Sequence, residues 1–234
     1  MGQTRSKHPK EIIIMSVGGS LIVPEEIDVD FLRKFRRLII SRLRRQRFIL
    51  IAGGGRTCRK YQNAAREIVK LTKEDADWLG IHTTRLNAHL MRTIFKDYAY
   101  PKIIFDPNDK ISFKQSILVA AGHMPGCSTD HDAVMLAKNL GVKKIINMSN
   151  IDYAYDKDPK KFRDARKIER TSWEGFRKIV GNRWDPGLNA PFDPVASRLA
   201  QELGMTVIIL NGKNLDNLKR CLEGKSFKGT TIER

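Results

Sequence analysis

The stretch IIIMSVGGS, residues 12–20, decides how the chain is read. Its apolar run does not alternate with polar residues, so the strand it forms must be covered on both faces. That is the mark of a parallel sheet sandwiched between helices. The glycine pair at its end permits a tight turn and close approach of a ligand to the backbone. Four further segments repeat the pattern. FILIA (48–52) runs into Gly53-Gly54-Gly55, SILVAA (116–121) into Gly122, KIINM (144–148) into Ser149-Asn150, and TVIIL (206–210) into Asn211-Gly212-Lys213.

Helical periodicity fills the intervals. Phe31, Phe35, Leu38, Ile39 and Leu43 form an apolar stripe over 30–47, with Asp28 or Asp30 available as a cap. Further helices are expected over 57–69, 78–95, 130–140, 173–180, 194–203 and 215–222. Strands alternating with helices specify an α/β fold, a three-layer αβα sandwich around a mainly parallel sheet. The chain has 234 residues, enough for one large domain or two intimate lobes, with the softest division near residue 141 (1–140 and 141–234). Ligands of such sheets bind outside the carboxyl ends of the strands, where all five turns converge.

Composition narrows the partners. Lys and Arg number 43 against 26 Asp and Glu, a formal net charge of +17, which calls for polyanionic company. Hydrophobic residues make up 41%, enough for a core. No run approaches the ~20 apolar residues of a membrane span, and the N-terminus lacks a signal-peptide core, so a cytoplasmic protein is expected. Gly2 and Ser6 fit a myristoylation pattern that nothing else supports. Cys58, Cys127 and Cys221 form neither a disulfide framework nor a zinc spacing. His82, His89, His123 and His131 show no metal-ligand constellation, so no protein-bound metal is expected.

The turns carry the candidate chemistry. Amides at a helix N-terminus after Gly18-Gly19-Ser20 or Gly53-Gly54-Gly55 suit a phosphate, although glycines also serve tight turns as such. Neither a P-loop nor a placed GxGxxG is present. Arg59, in the first turn of the helix after the triple glycine, can clamp a phosphate, with Arg56 and Lys60 as near rivals. Asp77 opens a helix in which Trp78, Ile81, Leu86 and Leu90 form the apolar stripe, and it reads as a cap or a ligand. In Pro125-Gly126-Cys127-Ser128-Thr129-Asp130 the hydroxyls can meet a phosphate or cap the helix, with Asp130 expected as the N-cap. SNIDYAYDKDP (149–159) has alternating acids but lacks the glycine and glutamate of a calcium loop.

Taken in order, VGGSL (17–21), AGGGRTCRKY (52–61), DWLGIHTTRLNA (77–88), MPGCSTD (124–130), NIDYAYDKDP (150–159), FDPVA (192–196) and GTTI (229–232) make the chain resemble the amino-acid-kinase superfamily. Within it, the resemblance is to uridylate kinases of the archaeal type. It implies transfer of the γ-phosphoryl group from Mg-ATP to UMP, with Mg²⁺ bound through the ATP phosphates. It implies UMP in the N-terminal lobe and ATP in the C-terminal lobe. Gly18 and Gly19 would lie against the ATP phosphates, Gly55 and Arg59 near the transferring group, and Ser149, Tyr155 and Asp158 at the adenosine. Gly54, Asp77, Met124, Pro125, Gly126, Cys127, Ser128 and Thr129 would hold UMP. Asp193 would help organise the catalytic centre. A homo-oligomer, often a hexamer, is implied as well.

Two positions depart from the pattern. Ser16 stands where many relatives have a phosphate-contacting lysine, and Lys213 is the first candidate to replace it. Tyr153 stands where glycine is usual in the adenosine motif. RWDPGLNAPFDP (183–194) has no assigned role. Kinases of isopentenyl phosphate carry a histidine after the triple glycine, whereas this chain has RTCRKY (56–61). A nucleic-acid reading rests on Arg33, Lys34, Arg36, Arg37, Arg42, Arg44, Arg45 and Arg47, charges spread around one helix that a solvated face explains more simply.

Overall fold

A computed structural model describes residues 10–181 and 190–234. The myristoylation pattern at Gly2 and Ser6, and residues 183–189 of the unassigned segment, lie outside them. In chain order the elements are β1 (Glu11–Val17), α1 (Gly19–Ile22), α2 (Val29–Arg42), β2 (Gln46–Ala52), α3 (Gly55–Ile68), α4 (Lys73–Ile94), β3 (Ala99–Ile104), β4 (Ile117–Ala120), α5 (Thr129–Asn139), β5 (Lys144–Ser149), β6 (Ala154–Tyr155), β7 (Lys167–Ile168), β8 (Arg170–Ser172), α6 (Trp173–Val180), α7 (Pro194–Glu202), β9 (Thr206–Asn211), α8 (Leu215–Leu222) and β10 (Thr230–Glu233).

Eight strands form one sheet in the order β3-β4-β2-β1-β5-β9-β10-β8. All pairs are parallel except β9 with β10, so β10 and β8 run against the other six. Alternate residues of each central strand enter different cores, as the two-residue period of a strand requires. Ile13, Met15, Val17, Phe48 and Leu50 pack with α2, α4 and α8 on one face. Ile14, Ile49, Ile51 and Ile145 pack with α5, α6 and α7 on the other. The three-layer sandwich follows from strands apolar on both sides.

Several boundaries differ from expectation for local reasons. The helix expected over 30–47 ends at Arg42, because Phe48 and its neighbours pair with β1 and β4. Asp28 caps that helix by accepting from Phe31 N at 2.9 Å. Arg44 and Arg45 therefore sit in a turn and Arg47 in β2, so the basic residues do not share one helix. Several also have internal partners. Arg33 pairs with Asp30, Arg42 with Glu223, and Arg47 donates to the carbonyls of Phe113 and Gln115. No helix among the described residues is long and apolar enough to cross a membrane.

Candidate functional site

The sheet changes direction between β1 and β5: successive strands build outward to either side of that seam, which is the switch point where α/β folds bind ligands. The strand-end turns meet there through backbone contacts. Gly18 N donates to Met148 O at 2.9 Å, Gly53 N to Val17 O at 3.0 Å, and Gly212 N to Ser149 O at 2.8 Å. A Cβ on Gly18 would lie 2.7 Å from Met148 O. A Cβ on Gly19 would overlap Gly55 N and Gly53 C, and Gly55 itself has φ +68°. The glycines are therefore needed for turn-on-turn packing, a requirement that stands whether or not a phosphate binds.

Helix α3 begins at Gly55, two residues earlier than expected. Arg59 thus falls at the start of the second turn rather than in the first, and it is exposed. Its two rivals are engaged elsewhere: Arg56 pairs with Glu25 at 3.1 Å and Lys60 with Glu26 at 2.7 Å. Arg59 has no ion-pair partner among the described residues, leaving its guanidinium available to an anion.

Helix α4 frames one side of the seam. Asp77 does not cap it: Thr72 does, accepting from Asp75 N, and α4 starts at Lys73. Asp77, in the second turn, instead accepts from Gly126 N at 2.9 Å across 49 residues. Gly126 has φ +83°, the conformation that turns 124–127 back toward α4. Thr84 Oγ1 accepts from Gly122 N at 2.8 Å, and Arg85 donates to His123 O at 3.1 Å. Buried Asn87, which the sequence reading did not single out, donates to Gly53 O at 2.7 Å and Gly54 O at 3.2 Å. Gly54, Asp77, Gly80, Thr84, Cys127 and Thr129 line a cavity of about 160 Å³. Trp78 and Leu86, expected on the apolar stripe, are exposed; Ile81, Ala88 and Met91 bury the face that packs on the sheet.

Helix α5 brings a denser set of charges. Ser128, not Asp130, is its N-cap, with Oγ accepting from His131 N at 3.2 Å. Asp130 Oδ1 accepts from Ser16 Oγ at 3.2 Å and its Oδ2 from Asp193 N at 3.2 Å. The position of the missing lysine is thus a buried hydroxyl tied to a carboxyl. Asp193 caps α7 by accepting from Ala196 N at 2.6 Å, while its Oδ2 has no hydrogen-bond partner. Asp132 is 1% exposed; one oxygen accepts from His123 N and Oδ1 has no partner.

Crowding sets the protonation of this group. Asp130 keeps some accessible surface, yet burial first and the Asp193 charge second push its carboxyl up to about 7. Asp132 is also raised to about 7, by burial, then by Asp130, Asp106 and Asp193 against the opposing His123 amide. The Cys127 thiol is pushed up to about 11 by burial and by Asp132, Asp193 and Asp77. Burial lowers His131. The fold also gathers Cys127, His131 and Asp132 so that one donor atom from each lies within 4.8 Å of the others, a constellation that the histidine spacing did not suggest.

On the opposite side of the seam, Ser149 closes β5 and is half-buried, and Tyr155 pairs with Lys167 in the short β6–β7 ribbon. Asp158 is exposed, with Oδ1 accepting from Lys160 N at 2.9 Å. Tyr153 carries the Lys167 ammonium 5.1 Å from its ring centroid and lines a groove of about 870 Å³ with Arg170, Arg220 and Lys228. Lys213 is exposed at the end of β9.

A mostly parallel sheet layered by helices, with glycine turns meeting at its switch point, defines an α/β protein whose ligands bind at the carboxyl ends of the strands. The sequence profile of the amino acid kinase family matches residues 11–211, and the chain belongs to that family. Among its relatives is the uridylate kinase of Pyrococcus abyssi, 31% identical over 224 residues, covering 94% of this chain and 99% of the relative. The uridylate kinase of Methanothermobacter thermautotrophicus is 32% identical over 223 residues, covering 94% and 98%. The crystal structure of uridylate kinase from Archaeoglobus fulgidus superposes with a TM-score of 0.79 at 29% identity, covering 94% of this chain and 99% of that one.

Proposed function

We propose that the chain is a uridylate kinase, transferring the γ-phosphoryl group of Mg-ATP to UMP to give UDP and ADP. The observation that carries this reading is end-to-end likeness: relatives named uridylate kinase match about nine-tenths or more of both chains at about 31% identity. The site chemistry supports it. Phosphoryl transfer requires positioning and charge neutralisation rather than a covalent nucleophile, so backbone amides and a guanidinium suffice.

In this reading residues 1–140 take the acceptor and 141–234 the donor, meeting at the β1–β5 seam. Gly18 and Gly19 present backbone to the ATP phosphates. Ser149, Tyr155 and Asp158 flank the adenosine. Arg59 and Gly55 face the transferring group. Gly54, Asp77 and Met124 to Thr129 hold UMP in the cavity walled by α4 and the N-terminus of α5. Ser128 accepts its capping bond and still has its own proton to donate to a phosphate oxygen. Lys213 supplies the cation that Ser16 does not.

Mg²⁺ demands oxygen donors, and the Asp193 oxygen without a partner beside the Asp130 carboxyl fits such an ion. Those two carboxyls would face it, and when bound it neutralises charge on the phosphates. Asp193 itself is held at the start of α7, where one of its oxygens accepts from Ala196 N.

The reading extends to a cytoplasmic enzyme of pyrimidine nucleotide synthesis that works as a homo-oligomer, a hexamer by resemblance. The amphipathic α3 has no buried residue and exposes Tyr61 and Ile68, seven apart on one face, which supports association through N-lobe helices.

An ADP-release assay against UMP, CMP and isopentenyl phosphate tests the function. Turnover with UMP is expected. Turnover with isopentenyl phosphate and none with UMP would overturn the reading.

A further inference from the structure

We propose that Cys127, His131 and Asp132 form a transition-metal site, suited to Zn²⁺, that ties the acceptor loop to the first turn of α5. The spacing explains why these three converge. Cys127 lies in the loop one residue before the N-cap, and His131 and Asp132 follow at i+4 and i+5, where one helical turn returns the chain beneath the loop. One donor atom from each residue lies within 4.8 Å of the others.

Two independent observations point to a ligand at this place. Asp132 is 99% buried, and its Oδ1 has no hydrogen-bond partner among the described residues. His131 Nδ1 is likewise buried and without a partner. A buried lone pair without a donor costs roughly 1–3 kcal/mol. A buried carboxylate oxygen and a buried imidazole nitrogen, each without a partner and beside a thiol, invite a cation that all three can share. The donor set selects the metal class: thiolate, imidazole and carboxylate are the ligands of Zn²⁺ and its neighbours, whereas Mg²⁺ and Ca²⁺ take oxygen alone.

The geometry needs little adjustment. Bonds of about 2.3 Å to sulfur and 2.0–2.1 Å to nitrogen and oxygen bring tetrahedral ligands to within roughly 3.5 Å of one another, so from separations within 4.8 Å the donors close by about 1.3 Å at most. A second layer is in place. The remaining Asp132 oxygen accepts from His123 N at 3.1 Å, which fixes the carboxylate plane. Binding releases the Cys127 proton to solvent and changes no oxidation state. Three protein ligands leave a fourth position for water, and Cys127 also lines the cavity beside α4. The site does not depend on which acceptor the cavity takes.

Co²⁺ titration of the purified full chain, without nucleotide, tests the proposal. One Co²⁺ per chain is expected, with sulfur-to-cobalt charge-transfer absorption that Zn²⁺ abolishes by displacement. Cys127→Ser should remove that absorption, His131→Ala should weaken binding by about tenfold or more, and Cys58→Ser should leave both intact. Thiol labelling of the unmutated protein gives a readout free of folding artefacts: Zn²⁺ should protect Cys127 and not Cys58. Absence of stoichiometric binding, absorption that survives Cys127→Ser, or equal labelling of Cys127 with and without Zn²⁺ would each overturn the site.

Discussion

Helices α4 and α5 both wall the cavity lined by Gly54, Asp77, Cys127 and Thr129, and they do so by opposite means. On α4, the polar groups turned inward are paired: Thr84 with Gly122 N, Asn87 with two glycine carbonyls, Asp77 with Gly126 N. On α5 and against it, His131, Asp132 and Asp193 each keep a buried atom without a partner, and two carboxyls are held up to about 7. One wall is a finished frame that fixes the backbone of three turns. The other stores unmet electrostatic demand, which a cation or a protonated state must satisfy. A site of this kind separates the task of holding shape from the task of responding to charge.

The largest expected effect falls on the finished wall. Asp77→Ala removes a carboxylate bond to the loop that surrounds the acceptor, and kcat/KM for UMP should fall roughly a hundredfold, the kinetic size of a lost charged hydrogen bond of 1.5–3 kcal/mol. Steady-state kinetics with UMP at saturating ATP measures it; unchanged kinetics would break the claim that α4 shapes the acceptor side. Next, Asn87→Ala leaves Gly53 O and Gly54 O without their donor. Loss of about 1–3 kcal/mol, read as a fall in Tm of roughly 3–10 °C by calorimetry, is expected.

On the other wall the sign reverses with pH. Asp130 has a folded-state pKa near 7, raised above an unfolded value of about 3.9. Below the lower value, folding carries no cost from this group. As pH rises through the interval from about 4 to 7, the unfolded chain ionises first and stability is lost. Asp130→Asn mimics the protonated acid, so the variant should gain Tm over the parent at pH 8 and match it only near pH 3, below the unfolded pKa. A constant offset at both pH values would show that α5 is not charge-stressed. The smallest effect belongs to the outer face of α4: Leu86→Ser, at a residue 63% exposed, should change the stability of the chain by less than about 0.5 kcal/mol in chemical denaturation.

The central sheet was legible because strands buried on both faces leave unbroken apolar runs, and all five such runs became strands. Edge strands leave no such trace. β3 (AYPKII) carries Pro101 and Lys102 and has an irregular register with β4, and β8 at the other edge is three residues long (RTS). Helix starts were readable to within a few residues. The identity of the cap was not, since Asp28, Ser128 and Thr72 were chosen by local backbone geometry among several suitable residues. In the site, family motifs led to Arg59, Asp77 and the 124–129 loop. Asn87 stayed silent because its partners lie 33 and 34 residues away. The Cys127, His131 and Asp132 trio was written as C-x₃-H-D, but that spacing becomes a constellation only once a helix starts between its members.

Gly19, Gly53 and Gly55 press backbone against backbone, with no side chain between the β1 and β2 turns. The gap between the two turns is therefore fixed by the seven-residue register of β1 on β2, as the span of a caliper is fixed by its beam. Neither turn can drift without dragging the other. Closing motions that bring two phosphates together have to come from parts outside this mount, such as the two-stranded β6–β7 ribbon, which is not part of the eight-stranded sheet. Any larger residue at Gly19 would act as a wedge between the jaws, altering reach for both ligands at once.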